Sequence, residues 1–138
     1  MRFIPADQVS AVWPQVRPFL LAAQDSGGIN ILPEELYYAL RQNLAALYLC
    51  DAGIIVAQKI TELDGSISCF VWLAAGSLSP HAEDCLRLLE RLAKGIGAKR
   101  LRMRSPRRWD RALHGYWKPY ETIYEHELTG AEDAAKSD

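Results

Sequence analysis

The chain has 138 residues, 49% of them hydrophobic, a size and composition suited to one globular domain with one sizeable core. No apolar run approaches the ~18 residues a bilayer span requires, and Met1-Arg2-Phe3-Ile4-Pro5-Ala6-Asp7 lacks the basic start and apolar stretch of a signal peptide. The net charge is −1, but it is unevenly spread: ten Lys/Arg and two Asp/Glu fall between Arg87 and Arg111, and acids dominate elsewhere. The three cysteines, Cys50, Cys69 and Cys85, are odd in number and set among apolar residues, which predicts buried thiols in a reducing cytoplasm.

Asp7 is a candidate N-cap for a first helix running to about Gln24. Val9, Val12, Trp13, Val16, Phe19, Leu20 and Ala23 recur at helical spacing. Pro14 and Pro18 each remove an amide donor and predict a kink or a break. Ser26-Gly27-Gly28 ends the segment. A second helix starts at Pro33, with Glu34 and Glu35 in its first turn, where proline and negative charge are favoured. Leu36, Tyr37, Leu40 and Leu44 would form its buried stripe.

A β pattern follows. Residues 46–50 are short and apolar, and Asp51-Ala52-Gly53 reads as a turn. Residues 54–63 are rich in β-branched side chains. Asp64-Gly65 carries a two-residue hairpin signal, and 66–73 form the third strand of an antiparallel meander.

Next comes the loop Ala74-Ala75-Gly76-Ser77-Leu78-Ser79-Pro80, which hands a strand over to a helix N-terminus. Free N–H groups and the positive helix end converge at such junctions and can hold an anion. Residues 80–96 are amphipathic, with Ser79 as the expected cap and Gly95 and Gly97 as the stop. Residues 99–104 form a strand with Leu101 and Met103 on one face and Arg100, Arg102 and Arg104 on the other. A short helix over 106–113 and one or two final strands over 117–128 complete a domain spanning 1–128. The polar residues 129–138 read as a disordered tail. The class is α+β, with a mostly antiparallel sheet and a right-handed crossover into the strand after the long helix.

Two helices, a meander, a long helix, a strand, a short helix and a final strand form an order that resembles the GNAT superfamily of acyl-CoA N-acyltransferases. The resemblance rests on the hairpin around Asp64-Gly65, the helix over 82–97 followed by Ala98-Lys99-Arg100-Leu101-Arg102, and the ending Leu113-His114-Gly115-Tyr116. It is narrower still with GNAT-like proteins of phages and prophages, which place a segment like Arg108-Trp109-Asp110-Arg111-Ala112-Leu113 before a Gly-aromatic pair.

The resemblance implies acetyl-CoA as the acyl donor and an amine as the acceptor, with no metal. It places the pyrophosphate at Ala75, Gly76, Ser77 and Ser79. The family loop carries Arg or Gln and paired glycines. Here one glycine remains, and Pro80 lacks a donor. Glu62 is the nearest candidate base. The family's acid is a tyrosine at the position of Arg111, so Tyr116 is the candidate substitute.

The basic face Arg100, Arg102, Arg104, Arg107, Arg108 and Arg111 admits three readings: an anion groove, a protein or nucleic-acid surface, or internal pairing with Glu121, Glu125 and Glu127. A pI near 6.3 argues against a dedicated nucleic-acid binder. The function expected is therefore a GNAT-like cytoplasmic protein of phage or prophage type. It acts either as an acetyl-CoA-dependent N-acyltransferase with a degenerate loop or as an inactive relative serving phage assembly or host-protein contact.

Overall fold

The computed structural model describes residues 1–25, 31–103, 126 and 128. The helix expected over 106–113, the final strands and the tail lie outside the described residues, as do Arg104, Arg107, Arg108, Arg111 and Tyr116.

The elements follow in chain order as β1 (Arg2–Ile4), α1 (Val9–Asp25), α2 (Pro33–Arg41), β2 (Ala46–Cys50), β3 (Gly53–Thr61), β4 (Ile67–Gly76), α3 (Ala82–Gly95) and β5 (Arg100–Met103). The five strands lie in one sheet in the order β1-β2-β3-β4-β5. The first three pairings are antiparallel and β4–β5 is parallel. This is the mixed, mostly antiparallel α+β sheet expected from the sequence.

Alternation along the strands divides the core in two. Leu47, Leu49, Ile54, Val56, Leu73 and Ala75 face α1 and α2, where they meet Val9, Val16, Leu20, Leu36 and Leu40. Tyr48, Ile55, Ala57, Cys69 and Val71 face the other way and pack on Cys85, Leu89 and Ala93 of α3. Both faces are covered, which explains why β3 opens on the nearly unbroken apolar run Ile54-Ile55-Val56-Ala57.

Several local expectations are corrected. Residues Arg2–Ile4 form a strand against β2 that the sequence does not predict, with the Phe3 and Tyr48 rings 5.6 Å apart. Asp7 is not an N-cap, because Ala6–Gln8 form a 3-10 turn and α1 begins at Val9. α1 is one helix through Pro14 and Pro18. Both prolines face solvent, while buried Val9, Val12, Val16 and Leu20 hold both halves of the helix to the sheet. Leu44 is exposed, and Ala39 takes its place in the buried stripe of α2.

The β3–β4 hairpin has a three-residue loop. The Gly65 N–H donates to the Glu62 carbonyl, the Glu62 N–H donates to Ser66 O, and Gly65 has φ +84°. That combination is a type I turn closed by a left-handed glycine. Two helices end in the same motif. Asn43 (φ 59°) follows α2 and Gly97 (φ 76°) follows α3, with the Leu44 and Ala98 amides reaching back to Ala39 O and Ala93 O.

Candidate functional site at the β4–α3 junction

β4 is longer than its β-branched residues suggest. Ala74, Ala75 and Gly76 belong to the strand and pair with Ile55, Ile54 and Gly53. The expected loop therefore shrinks to Ser77-Leu78, followed by a 3-10 turn over Ser79–His81. The N-cap of α3 is His81, with no side-chain cap, in place of Ser79.

The register between β3 and β4 slips once: Val56 pairs with Leu73 and Ala57 with Val71, leaving Trp72 as the extra residue of a β-bulge. The bulge resets which side chains face which core. Val71 lies with the α3-facing cluster, while Trp72 and Leu73 both lie with the cluster under α1 and α2.

The bulge also governs the backbone donors. The Ser77 N–H donates to Ala52 O at 2.8 Å, which extends the β3–β4 ladder one step past Gly53–Gly76. Hydrogen-bonded positions alternate in an antiparallel ladder. The amides of Ala74 and Gly76 consequently point away from β3, toward the side on which β5 lies. Within the described residues, which on β5 end at Met103, the β5 register covers Ser68–Val71 of β4.

Two glycines make this junction possible. A Cβ on Gly76, which has φ +107°, would stand 2.3 Å from Ala52 O. A Cβ on Gly53 would stand 2.1 Å from Ala75 O. The two backbones touch here, and Leu78 seals the contact from below, 8% exposed.

Ser77 spends its amide on Ala52, His81 spends its amide on Leu78 O, and Pro80 has none. Exposed Glu83 and Asp84 occupy the first turn of α3. They stabilise the helix end and compete with any external anion for it.

The structure places Glu62 elsewhere. Its Oε1 accepts from Ser68 Oγ at 2.8 Å and from the Arg102 guanidinium at 2.5 Å. Ser68 is fully buried, the only buried polar side chain among the described residues. Eight strand positions separate Ser68 from Gly76, roughly 25 Å at a rise of about 3.3 Å per residue. Glu62 and the junction therefore sit at opposite ends of β4.

Arg100 and Arg102 do share one face of β5, opposite Leu101 and Met103, which pack toward α3. Arg100 donates to Ser66 Oγ at 2.9 Å. The partners of these two arginines include Ser66 and Glu62, which the sequence reading had not considered. Ser68 was also missed; a lone serine within an apolar strand, six residues from a glutamate, was the available signal.

On the side of the sheet covered by α1 and α2, Tyr37 stacks edge-on to Trp13 with centroids 5.1 Å apart, and its hydroxyl lies 2.7 Å from Ser10 Oγ. Arg41 donates to the same Ser10 oxygen. Cys69 and Cys85 are buried and Cys50 is half-buried, and all three are free thiols.

No protein-family model matches the sequence, and no curated protein matches it either. Solved structures do. An aminoglycoside acetyltransferase from an uncultured soil metagenomic sample, in complex with sisomicin, superposes with TM-score 0.66 over 93% of this chain and 95% of its own, at 11% identity. A ribosomal-protein-alanine N-acetyltransferase from Brucella melitensis biovar Abortus 2308 gives 0.57 over 89% and 98%, at 12% identity. An acetyltransferase of Trypanosoma brucei gives 0.55 over 92% and 97%, at 11% identity.

Proposed function

Because the chain has the fold of GNAT-family acetyltransferases, we propose that it binds an acyl-CoA along the outer edge of β4 and passes the acyl group to an amine. The observation that carries this reading is the bulge at Trp72, beyond which β4 turns the Ala74 and Gly76 amides away from β3. A strand edge of this kind pairs with a ligand that brings its own amide groups, as the pantetheine arm of coenzyme A does.

In the reaction, the amine nitrogen attacks the thioester carbon, the C–N bond forms, the C–S bond breaks, the nitrogen releases a proton to solvent, and the leaving thiolate takes one up. Tyr116 is the candidate donor of that proton. Glu62, held by Ser68 and Arg102 at the far end of β4, is assigned a different role below. With Ser77 committed to Ala52 and no amide on Pro80, Ala75, Gly76, Ser77 and Ser79 make a weak grip on the pyrophosphate. The cofactor is therefore held mainly by its pantetheine arm.

The same weak grip favours one second reading: an inactive phage or prophage relative that keeps the fold for virion assembly or host-protein contact. The Arg108-Trp109-Asp110-Arg111 segment supports the phage assignment. A nucleic-acid role gains nothing from Arg100 and Arg102, which are tied to Ser66 and Glu62.

Calorimetric titration with acetyl-CoA, alongside backbone amide spectra, decides between the first two. Acyl-CoA binding gives heat at millimolar ligand and shifts at Ala74 and Gly76. Absence of both leaves the inactive relative.

A further inference from the structure

β4–β5 is the one parallel pair among the described strands, and β5 reaches it only after the α3 crossover. Parallel pairing is somewhat weaker per residue than antiparallel pairing. At the hairpin end this pair is tied twice. Asp64 Oδ1 accepts from both the Ser66 N–H and Ser66 Oγ, and Arg100 donates to that same Ser66 oxygen. Next to it, buried Ser68 donates to Glu62 Oε1, and Arg102 donates to that same carboxylate oxygen. The Lys99 N–H, donating to Ile67 O at 2.8 Å, starts the ladder between the two ties. Arg102 and Glu62 are 24% and 25% exposed, so their bond is shielded enough to outlast a surface ion pair.

We propose that Glu62 is a positioning residue, a clasp that fixes the register of β5 on β4, the strand that leads to the β4–α3 junction. Its carboxylate joins the β3–β4 hairpin, buried Ser68 of β4 and Arg102 of β5 through one oxygen. The clasp itself stands on the contacts above; its effect on ligand affinity rests on the acyl-CoA reading.

Glu62→Gln, which keeps a neutral acceptor, and Glu62→Ala, which keeps none, are compared with wild type by hydrogen exchange at the Leu101 and Met103 amides and by acetyl-CoA titration. The clasp predicts a graded series. Exchange accelerates about tenfold or more in Glu62→Ala and less in Glu62→Gln, as loss of a charge-assisted bond requires. Acetyl-CoA affinity falls in the same order. Exchange unchanged within about twofold in Glu62→Ala overturns the clasp. So does a turnover lost equally in both variants with affinity intact, which is the signature of a general base. If wild type takes up no acetyl-CoA, the functional reading falls by itself and the exchange series still decides the clasp. Should Glu62→Ala not fold, Ser68→Ala removes the second donor to the same oxygen and is read the same way.

Discussion

Gly53 and Gly76 look unremarkable in the sequence, yet their backbones meet where β3 and β4 end. Gly76→Ala must take on a left-handed φ of +107° and a Cβ at 2.3 Å from a carbonyl oxygen. Gly65 is left-handed as well, but nothing lies within 4 Å of its missing Cβ. Gly65→Ala should therefore cost about 1–2 kcal/mol, the left-handed penalty alone, and Gly76→Ala about 3 kcal/mol or more. Urea denaturation of the two variants measures the difference, and equal losses would remove the steric argument. The glycine was visible at the residue scale, but its reason was not. The sequence suggests a phosphate approaching Gly76, whereas in the fold the close neighbour is Ala52. The two lie 24 positions apart, and a propensity reading has no access to that contact.

At the scale of elements, the apolar stripes of α1, α2 and α3 and the β2–β4 meander were legible from periodicity. The misses share a physical cause: local signals were overruled by pairing. β1 is too short to announce itself and exists because β2 offers it an edge. Ala74-Ala75-Gly76 has weak strand propensity, but Ile54 and Ile55 hold it in register. Burial in the α3-facing layer has a further effect on the thiols. It raises the pKa of Cys69, and it raises that of Cys85 first by burial and then through nearby Cys50. A thiol with a raised folded-state pKa holds its proton more firmly when folded. Its contribution to stability is complete below the unfolded thiol pKa, about 8.5, and is lost as pH rises through the raised value. Denaturant unfolding of wild type should weaken as pH rises above about 8.5, and Cys69→Ala should weaken less. Parallel pH profiles would remove the thiol account.

For the whole molecule, the sequence order of elements led to the right architecture, and the fold neighbours agree with it. The two ends of β4 were not legible in the same way. Glu62 lies beside the start of β4 and the 74–80 segment at its end, and strand length was invisible until the bulge and the late pairings of β4 were seen. The sheet also runs β1 to β5 in the same sequence as the chain. The strands β2, β3 and β4 are joined only by Asp51-Ala52 and by the short 62–66 turn, so their loops close at little entropic expense. β1 and β5 must each wait for intervening helices. Spatial order thus becomes temporal order: the meander forms early, and β1 and β5 dock late. Kinetic φ-values should be high at Val56 and Leu73 and near zero at Ile4 and Leu101. β5, the strand that Glu62 clasps to β4, is then among the last of the described strands to arrive and the first to leave.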